Sequence, residues 1–304
     1  MTVLVEIFAL FVIMGVGFLL GKRALLDKAS IHGLSNLVIK VALPSLILVS
    51  LQKPFTPELL GDALITLVAA TVYYAGAIAL GYLFVRLLRT PKKQVGALVF
   101  SLAFSNAGFV GFPVIVSILG QGSLFLAAIH NVLFNLLAFS VGIVIVSGSG
   151  GEKVRFPIAK LLNINVLAAI AGFILFLLSI TLPPIIQVPL TLLGNTTTPL
   201  AMLVVGAILA NVPARAVVGD WRLYVISAVR LLVLPAVAGF ACYFAGVSRE
   251  LLGITVIVAG MPAASNTTLL AELYGEDSET ASSIVFLSTV FSIATIPIIA
   301  LFLT

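Results

Sequence analysis

Ser105-Asn106-Ala107-Gly108-Phe109-Val110-Gly111-Phe112-Pro113 sets an amide, a hydroxyl, two glycines and a proline inside an otherwise apolar stretch. Gly260-Met261-Pro262-Ala263-Ala264-Ser265-Asn266 sets an amide, a hydroxyl, one glycine and a proline in another such stretch far downstream. Proline removes a backbone donor and glycine weakens helix, so each run predicts a helix break. In lipid, the groups freed by a break must be satisfied by protein or by a water-filled cavity. One such break is a kink with local repair, whereas two in corresponding halves point to a ligand site near a membrane midplane. A half-helix starting near Pro113, and a second capped by Ser265 or Asn266, would offer free N–H groups and partial positive charge. That environment suits an anion such as a carboxylate. Asn106 and Asn266 add amides that donate to a carboxylate or accept from a protonated group. The candidate substrate contacts at the breaks are Asn106, Gly108, Pro113, Pro262, Ser265 and Asn266.

Further polar residues lie within apolar windows. Asn131 and Asn135 are four apart and share one helix face, where they line the cavity or bond a neighbouring helix. Arg230 sits well inside a window, and a charge at that depth is a functional candidate by default. Apart from Glu6, Asp62 and Glu272 near the window ends, no acid accompanies it, so Arg230 joins the substrate-contact candidates as an attractor of anions. Lys40 has a stem long enough to snorkel to the surface. The Asn195–Thr198 run before Pro199 reads as a cap for the next helix, and the Asp277-Ser278-Glu279-Thr280 run as another. Proton relays use Asp, Glu or His, and His130 is the one in-window histidine. Na+ held by backbone carbonyls and Ser, Thr or Asn oxygens, protons borne by the substrate, and facilitated diffusion all stand as coupling alternatives.

Several classes fall away. No HExxH, GxSxG or in-window acid pair supports an enzyme, and no GxxxxGK[ST] loop supports an ATP-driven pump. A single cysteine, Cys242, and two histidines exclude an intrachain disulfide and a cysteine- or histidine-rich metal site. No cofactor is expected. The net charge of +5 comes from residues between the apolar runs, without a basic face, so no nucleic-acid partner is expected. A membrane sensor or channel is the alternative to a carrier, but no soluble output domain or repeated filter is present.

The elements that must position these residues are membrane helices. The chain has 304 residues, 61% of them hydrophobic and 9% charged, against roughly 25% charged in a soluble domain. Ten windows of about 20 residues qualify as spans, near 3–21, 33–51, 61–87, 94–119, 123–147, 158–181, 195–211, 221–245, 251–273 and 280–303. With the N-terminus outside, the inner loops hold Lys22, Arg23, Lys28, Arg86, Arg89, Lys92, Lys93, Lys153, Arg155, Lys160, Arg215 and Arg222, against Lys53 and Arg249 outside. That bias sets the orientation, with both termini outside the cell (inner) membrane. Ten spans split five and five, and an odd number inverts the second half. The predicted fold is an all-α integral membrane protein, ten transmembrane helices in an inverted 5+5 repeat with helices 4 and 9 broken. The repeats are 1–147 and 158–304, joined by a short cytoplasmic linker at 148–157. Gly17 and Gly21 form a small-xxx-small pair for helix contact.

SNAGFVGFPVIVSILG and MPAASNTTLLAELYGEDSETASSIVFLSTVFSIATIPII resemble the auxin efflux carrier family in its short prokaryotic form, along essentially the whole chain. The second stretch is the more specific, combining its proline, the Tyr274-Gly275-x-Asp277 turn and a Ser-Thr-rich last helix. The resemblance implies that spans 4 and 9 cross at the substrate site. It implies a transport domain of spans 3–5 and 8–10 moving elevator fashion against a scaffold of spans 1, 2, 6 and 7, in a homodimer. It also implies an organic-anion substrate, since members include malate and malonate permeases as well as plant auxin exporters. The chain departs from the plant members in lacking their long cytoplasmic loop and in carrying Asn266 where they often show a second proline.

Overall fold

The computed structural model describes residues 2–148, 163–211 and 220–303. The expected linker beyond residue 148, the start of the window at 158, and Lys153, Arg155, Lys160 and Arg215 lie outside the described residues. Among the described residues the fold is all-helical, with no named strand. In order, the helices are α1 Thr2–Lys22, α2 Lys28–Leu37, α3 Leu43–Ser50, α4 Pro57–Leu87, α5 Lys92–Ala103, α6 Phe112–Leu119, α7 Leu124–Ala138 and α8 Val141–Ser147. Then come α9 Ile164–Leu177, α10 Pro184–Asn195, α11 Thr197–Ala210, α12 Trp221–Ala228, α13 Leu234–Phe244, α14 Arg249–Gly260, α15 Asn266–Leu273 and α16 Ser278–Leu303.

Seven continuous stretches are long and apolar enough to cross a membrane: Val3–Lys22, Lys28–Ser50, Pro57–Leu87, Gln121–Ser147, Pro184–Ala210, Trp221–Phe244 and Ser278–Leu303. The chain is therefore a multi-pass integral membrane protein. Of the ten windows read from sequence, 94–119 and 251–273 are each divided between two helices, α5 with α6 and α14 with α15. The window at 158–181 is represented by α9 alone. The helix expected from 195 starts eleven residues earlier, at Pro184. Thr196 is consequently a single turn residue between α10, which ends at Asn195, and α11, which starts at Thr197. Thr196 is helical in backbone and makes no cap, because its hydroxyl donates back to the Leu193 carbonyl.

Three π turns share one cause. Val38–Ala42, Ala107–Gly111 and Val229–Val233 each run directly into a helix whose second residue is proline: Pro44, Pro113 and Pro235. A proline inside a helix cannot bond the carbonyl four residues back and collides with it. Widening the turn lets the preceding residue reach one position further, as Leu43 N–H does to Val38 O and Leu234 N–H to Val229 O.

The chain forms two compact units. The first comprises Met1–Leu67, Gly108–Val132 and Leu162–Asn211. In it α1 lies against α11 at glycine positions. A Cβ on Gly17 would fall 2.2 Å from the Leu203 carbonyl oxygen, and one on Gly206 would fall 1.9 Å from that of Met14. Only backbone fits there, so the small-residue spacing of α1 is a contact motif with a partner. The second unit comprises Val68–Ala107, Leu133–Leu161 and Val212–Thr304. Its apolar core includes Tyr74, Phe104 and Phe134, with Tyr74 stacked on Phe104 at 5.6 Å.

Replacing Gly206 with Ala is expected to cost about 1–3 kcal/mol by forcing α1 from α11. Gly15→Ala, whose added methyl meets nothing within 4 Å, is expected to be neutral or stabilising. Thermal unfolding of both variants in detergent measures the difference, and equal midpoints would refute the close-contact account.

Candidate substrate junction

The second unit holds a junction between two stretches that leave helical geometry. Helix α5 ends at Ala103, and Phe104 turns extended. Helix α14 ends at Gly260, and Met261 turns extended. The chains then run antiparallel past each other for a few residues, with a bridge between Ser105 and Ala263. Asn106 N–H donates to Pro262 O at 2.8 Å, and Ala264 N–H donates to Phe104 O at 3.1 Å. Ala263 N–H donates to the Ser288 hydroxyl of α16 at 3.0 Å. This is how backbone groups freed by Pro262 and the adjoining glycines find partners in a buried place.

Arg230 completes that satisfaction. It lies in the π turn before Pro235 and is 1% exposed. Its Nε donates to Met261 O at 3.0 Å, Nη1 donates to Leu102 O and to the Tyr73 hydroxyl, and Nη2 donates to Val258 O at 3.4 Å. Leu102 and Val258 sit in the last turns of α5 and α14, where carbonyls run out of helical partners; Val258 O also accepts from the N–H of the cap residue Met261 at 3.3 Å. Those helix ends also carry partial negative charge. One planar guanidinium with five donors therefore neutralises two helix C-termini at once, and the ionic cost of burial is met by backbone oxygens.

The predicted contacts divide between the two units. Asn106, Pro262, Ser265, Asn266, Asn135 and Arg230 belong to the second. Asn106 is 5% exposed, and its Nδ2 donates to the Ser265 hydroxyl at 3.1 Å. One expectation is corrected: Ser265 makes no side-chain cap for α15, since its backbone is already helical rather than extended, and its hydroxyl accepts from Asn106 instead. Asn266 opens α15 as its first residue and is half-buried. Asn135 is buried on α7. Gly108, Pro113 and Asn131 belong to the first unit. Pro113 lies early in α6, but helical winding starts before it, at the Ala107–Gly111 π turn. Lys40 is exposed on its π turn, and Asp277 caps α16 as expected, accepting from Glu279 and Thr280 N–H at 3.1 Å. Sequence reasoning missed Tyr73 and gave no role to Ser288 or to the Ser105 hydroxyl, which is buried without a partner. Among the described residues no three His, Cys, Asp or Glu side chains gather to hold a metal.

A polar, non-helical junction buried among apolar membrane helices is a feature of transporters built on broken helices. Comparison with known proteins makes the family explicit: residues 2–300 match the membrane transport protein family, and the chain belongs to it. It is 28% identical to an uncharacterized transporter of Methanothermobacter thermautotrophicus over 96% of this chain and 95% of that one. It is 26% identical to an uncharacterized transporter of Methanocaldococcus jannaschii over 86% of each chain. It is also 26% identical to a Rhizobium meliloti protein named "Putative malonate transporter", over 86% of this chain and 84% of that one. The similarity to auxin efflux carriers read from the two motifs is thus a family relationship, and this chain is a membrane transporter.

Arg230→Lys keeps a charge but loses the fork, leaving at least one helix-end carbonyl without a donor. The expected cost is about 1–3 kcal/mol for each buried group left unsatisfied. Unfolding in detergent measures it, and a midpoint equal to wild type would show that the guanidinium geometry is dispensable.

Proposed function

We propose that this transporter is a secondary carrier of a small organic anion, a mono- or dicarboxylate, which binds where spans 4 and 9 cross. The observation that carries the reading is the junction itself. It places the Asn106 amide, the Ser265 hydroxyl and the half-exposed Asn266 at the start of α15. The first N–H groups of that helix and its partial positive charge favour a carboxylate there. Arg230 lies behind the paired backbone, donating to Met261 O, and adds a fixed positive charge that neutralises the helix ends while the amides face the ligand. The name of the Rhizobium meliloti relative supports a dicarboxylate.

The carrier works as an inverted repeat of ten spans with both termini outside, as a homodimer, by elevator-type alternating access. The moving part is the body that contains the junction. Support comes from the grouping of the chain. Met1–Leu67 and Leu162–Asn211, which hold spans 1, 2, 6 and 7, fall in one compact unit, and Val212–Thr304, which holds spans 8–10, falls in the other. Spans 3, 4 and 5 are shared, since Met1–Leu67 and Gly108–Val132 group with the first unit and Val68–Ala107 with the second.

Purified protein in liposomes is expected to move labelled malonate. Asn106→Ala and Asn266→Ala are each expected to lower that flux on the order of 10-fold, the effect of one hydrogen bond to a charged group. Both should keep the wild-type unfolding midpoint to within about 1 kcal/mol. Unchanged flux in both variants would sink the junction as the binding site.

A further inference from the structure

The turn between α15 and α16 carries a buried carboxyl that the transport reading does not use. Glu276 is 7% exposed. Gly275, at φ +74°, reverses the chain so that Glu276 points back at the first half of α5. Its Oε2 accepts from Ala97 N–H at 3.4 Å, and its Oε1 is buried with no hydrogen-bond partner. Gly96 makes the approach possible. A Cβ there would fall 2.9 Å from Glu276 Oε1 and 2.7 Å from the Ile145 carbonyl oxygen of α8. Ala97, Ala271 and Ala281, all fully buried, pack α5, α15 and α16 together beside it.

The charged groups around Glu276 do not neutralise it. On α5, Lys92 and Lys93 are exposed, and Lys93 gives its carbonyl to Asp277 N–H at 2.9 Å. In the turn, Asp277 accepts from Gln94 and Thr280 and adds a second negative charge. Glu272 on α15 and Glu279 on α16 are exposed, and α8 carries no titratable side chain. On α12, which packs against α5 and α16, Arg222 pairs with Asp220 at 3.6 Å and donates to Leu88 O. Among the described residues Glu276 has no cationic partner. A buried carboxylate with one bare oxygen and no counter-ion is costly, whereas the neutral acid is not.

We propose that Glu276 is a proton-binding site, and that its neutral form keeps the base of α5 joined to the α15–α16 turn. Helix α5 runs from this contact to the junction at Ser105, and α15 runs from the junction back to this turn. The two half-helices are therefore tied at both ends, by paired backbone at the junction and by Glu276 and Asp277 at the base. Loss of the proton charges the base tie and favours opening of the turn toward water. The chemistry of the group agrees: burial raises the Glu276 carboxyl from 4.5 to about 7, opposed by N–H groups of Ala97 and Gly96 and reinforced by Asp277. Asp277 itself is raised by burial, but hydrogen bonds from Thr280, Gln94 and Glu279 outweigh that and hold it below its ordinary value.

A carboxyl whose pKa is higher folded than unfolded binds more protons in the folded state. Its contribution is full below 4.5, falls as pH rises to about 7, and levels off above. Thermal midpoints of the whole protein in detergent are compared at about pH 5 and about pH 8. The wild type and Glu279→Gln, an exposed control, are expected to lose stability between the two. Glu276→Gln is expected to lose little or none and to exceed the wild type at the higher pH. A Glu276→Gln protein that keeps the wild-type pH slope overturns the proposal. If Glu276→Gln does not fold, the infrared absorption of a protonated carboxyl in the wild type decides. That band is expected in folded protein at about pH 6 and absent at about pH 8, and its absence at the lower pH overturns the site. A link to transport rests on the carrier reading: malonate flux is expected to change with pH across the same window in wild type and not in Glu276→Gln. Absence of flux from every protein would fault the carrier reading alone, since the midpoints and the infrared band judge the proton site without it.

Discussion

Backbone groups buried away from water must be paired, and the junction is organised around that requirement. Leaving a helix in a buried place strands its last carbonyls and the first N–H groups of the next helix. Two such departures occur together, at Phe104 and Met261. Each alone would carry several unsatisfied groups into an apolar surrounding, at a cost of kilocalories per group. Brought side by side they become each other's partners, and Arg230 takes the carbonyls that the pairing leaves over. The buried charge is thus bound to oxygen on three sides, and its position inside the fold is set by the oxygens it serves.

Proline has a second consequence through the same requirement. The π turns before Pro44, Pro113 and Pro235 absorb one residue each. In an ordinary helix turn each proline would both delete a bond and press on the carbonyl behind it. The widened turn shifts the faces of the following helix and opens room on one side. At Val229–Val233 the widened turn itself carries the buried Arg230. A proline just beyond the turn and a buried guanidinium within it are two parts of one local solution.

Much of this was legible in the residues. A chain with 9% charge cannot be a soluble domain, and the glycine- and proline-bearing runs marked the places where helices stop. Gly17 and Gly21 announced a close helix contact, although not that α11 supplies it with Gly206. Other features were not legible, for identifiable reasons. Arg230 looked like a lone cation because its partners, apart from the Tyr73 hydroxyl, are main-chain oxygens, among them that of Leu102, 128 residues away; a carbonyl leaves no signature in residue type. Ser265 looked like a helix cap because the group its hydroxyl accepts from, Asn106, lies 159 residues away. Glu276 sits in an acidic run with Asp277 and Glu279, and residue type does not set it apart from them. Only the reversal at Gly275 turns that side chain inward while its neighbours Asp277 and Glu279 stay nearer the surface.

The antiparallel pairing at Ser105 and Ala263 is made by main-chain groups, from Asn106 N–H to Pro262 O and from Ala264 N–H to Phe104 O. A fastening of that kind does not depend on which side chains stand at its edges. A substitution at Asn106, Ser265 or Asn266 therefore leaves the donors and acceptors of that pairing in place. The junction can thus tolerate change in residue type at its edges without losing the bonds that hold its two strands together.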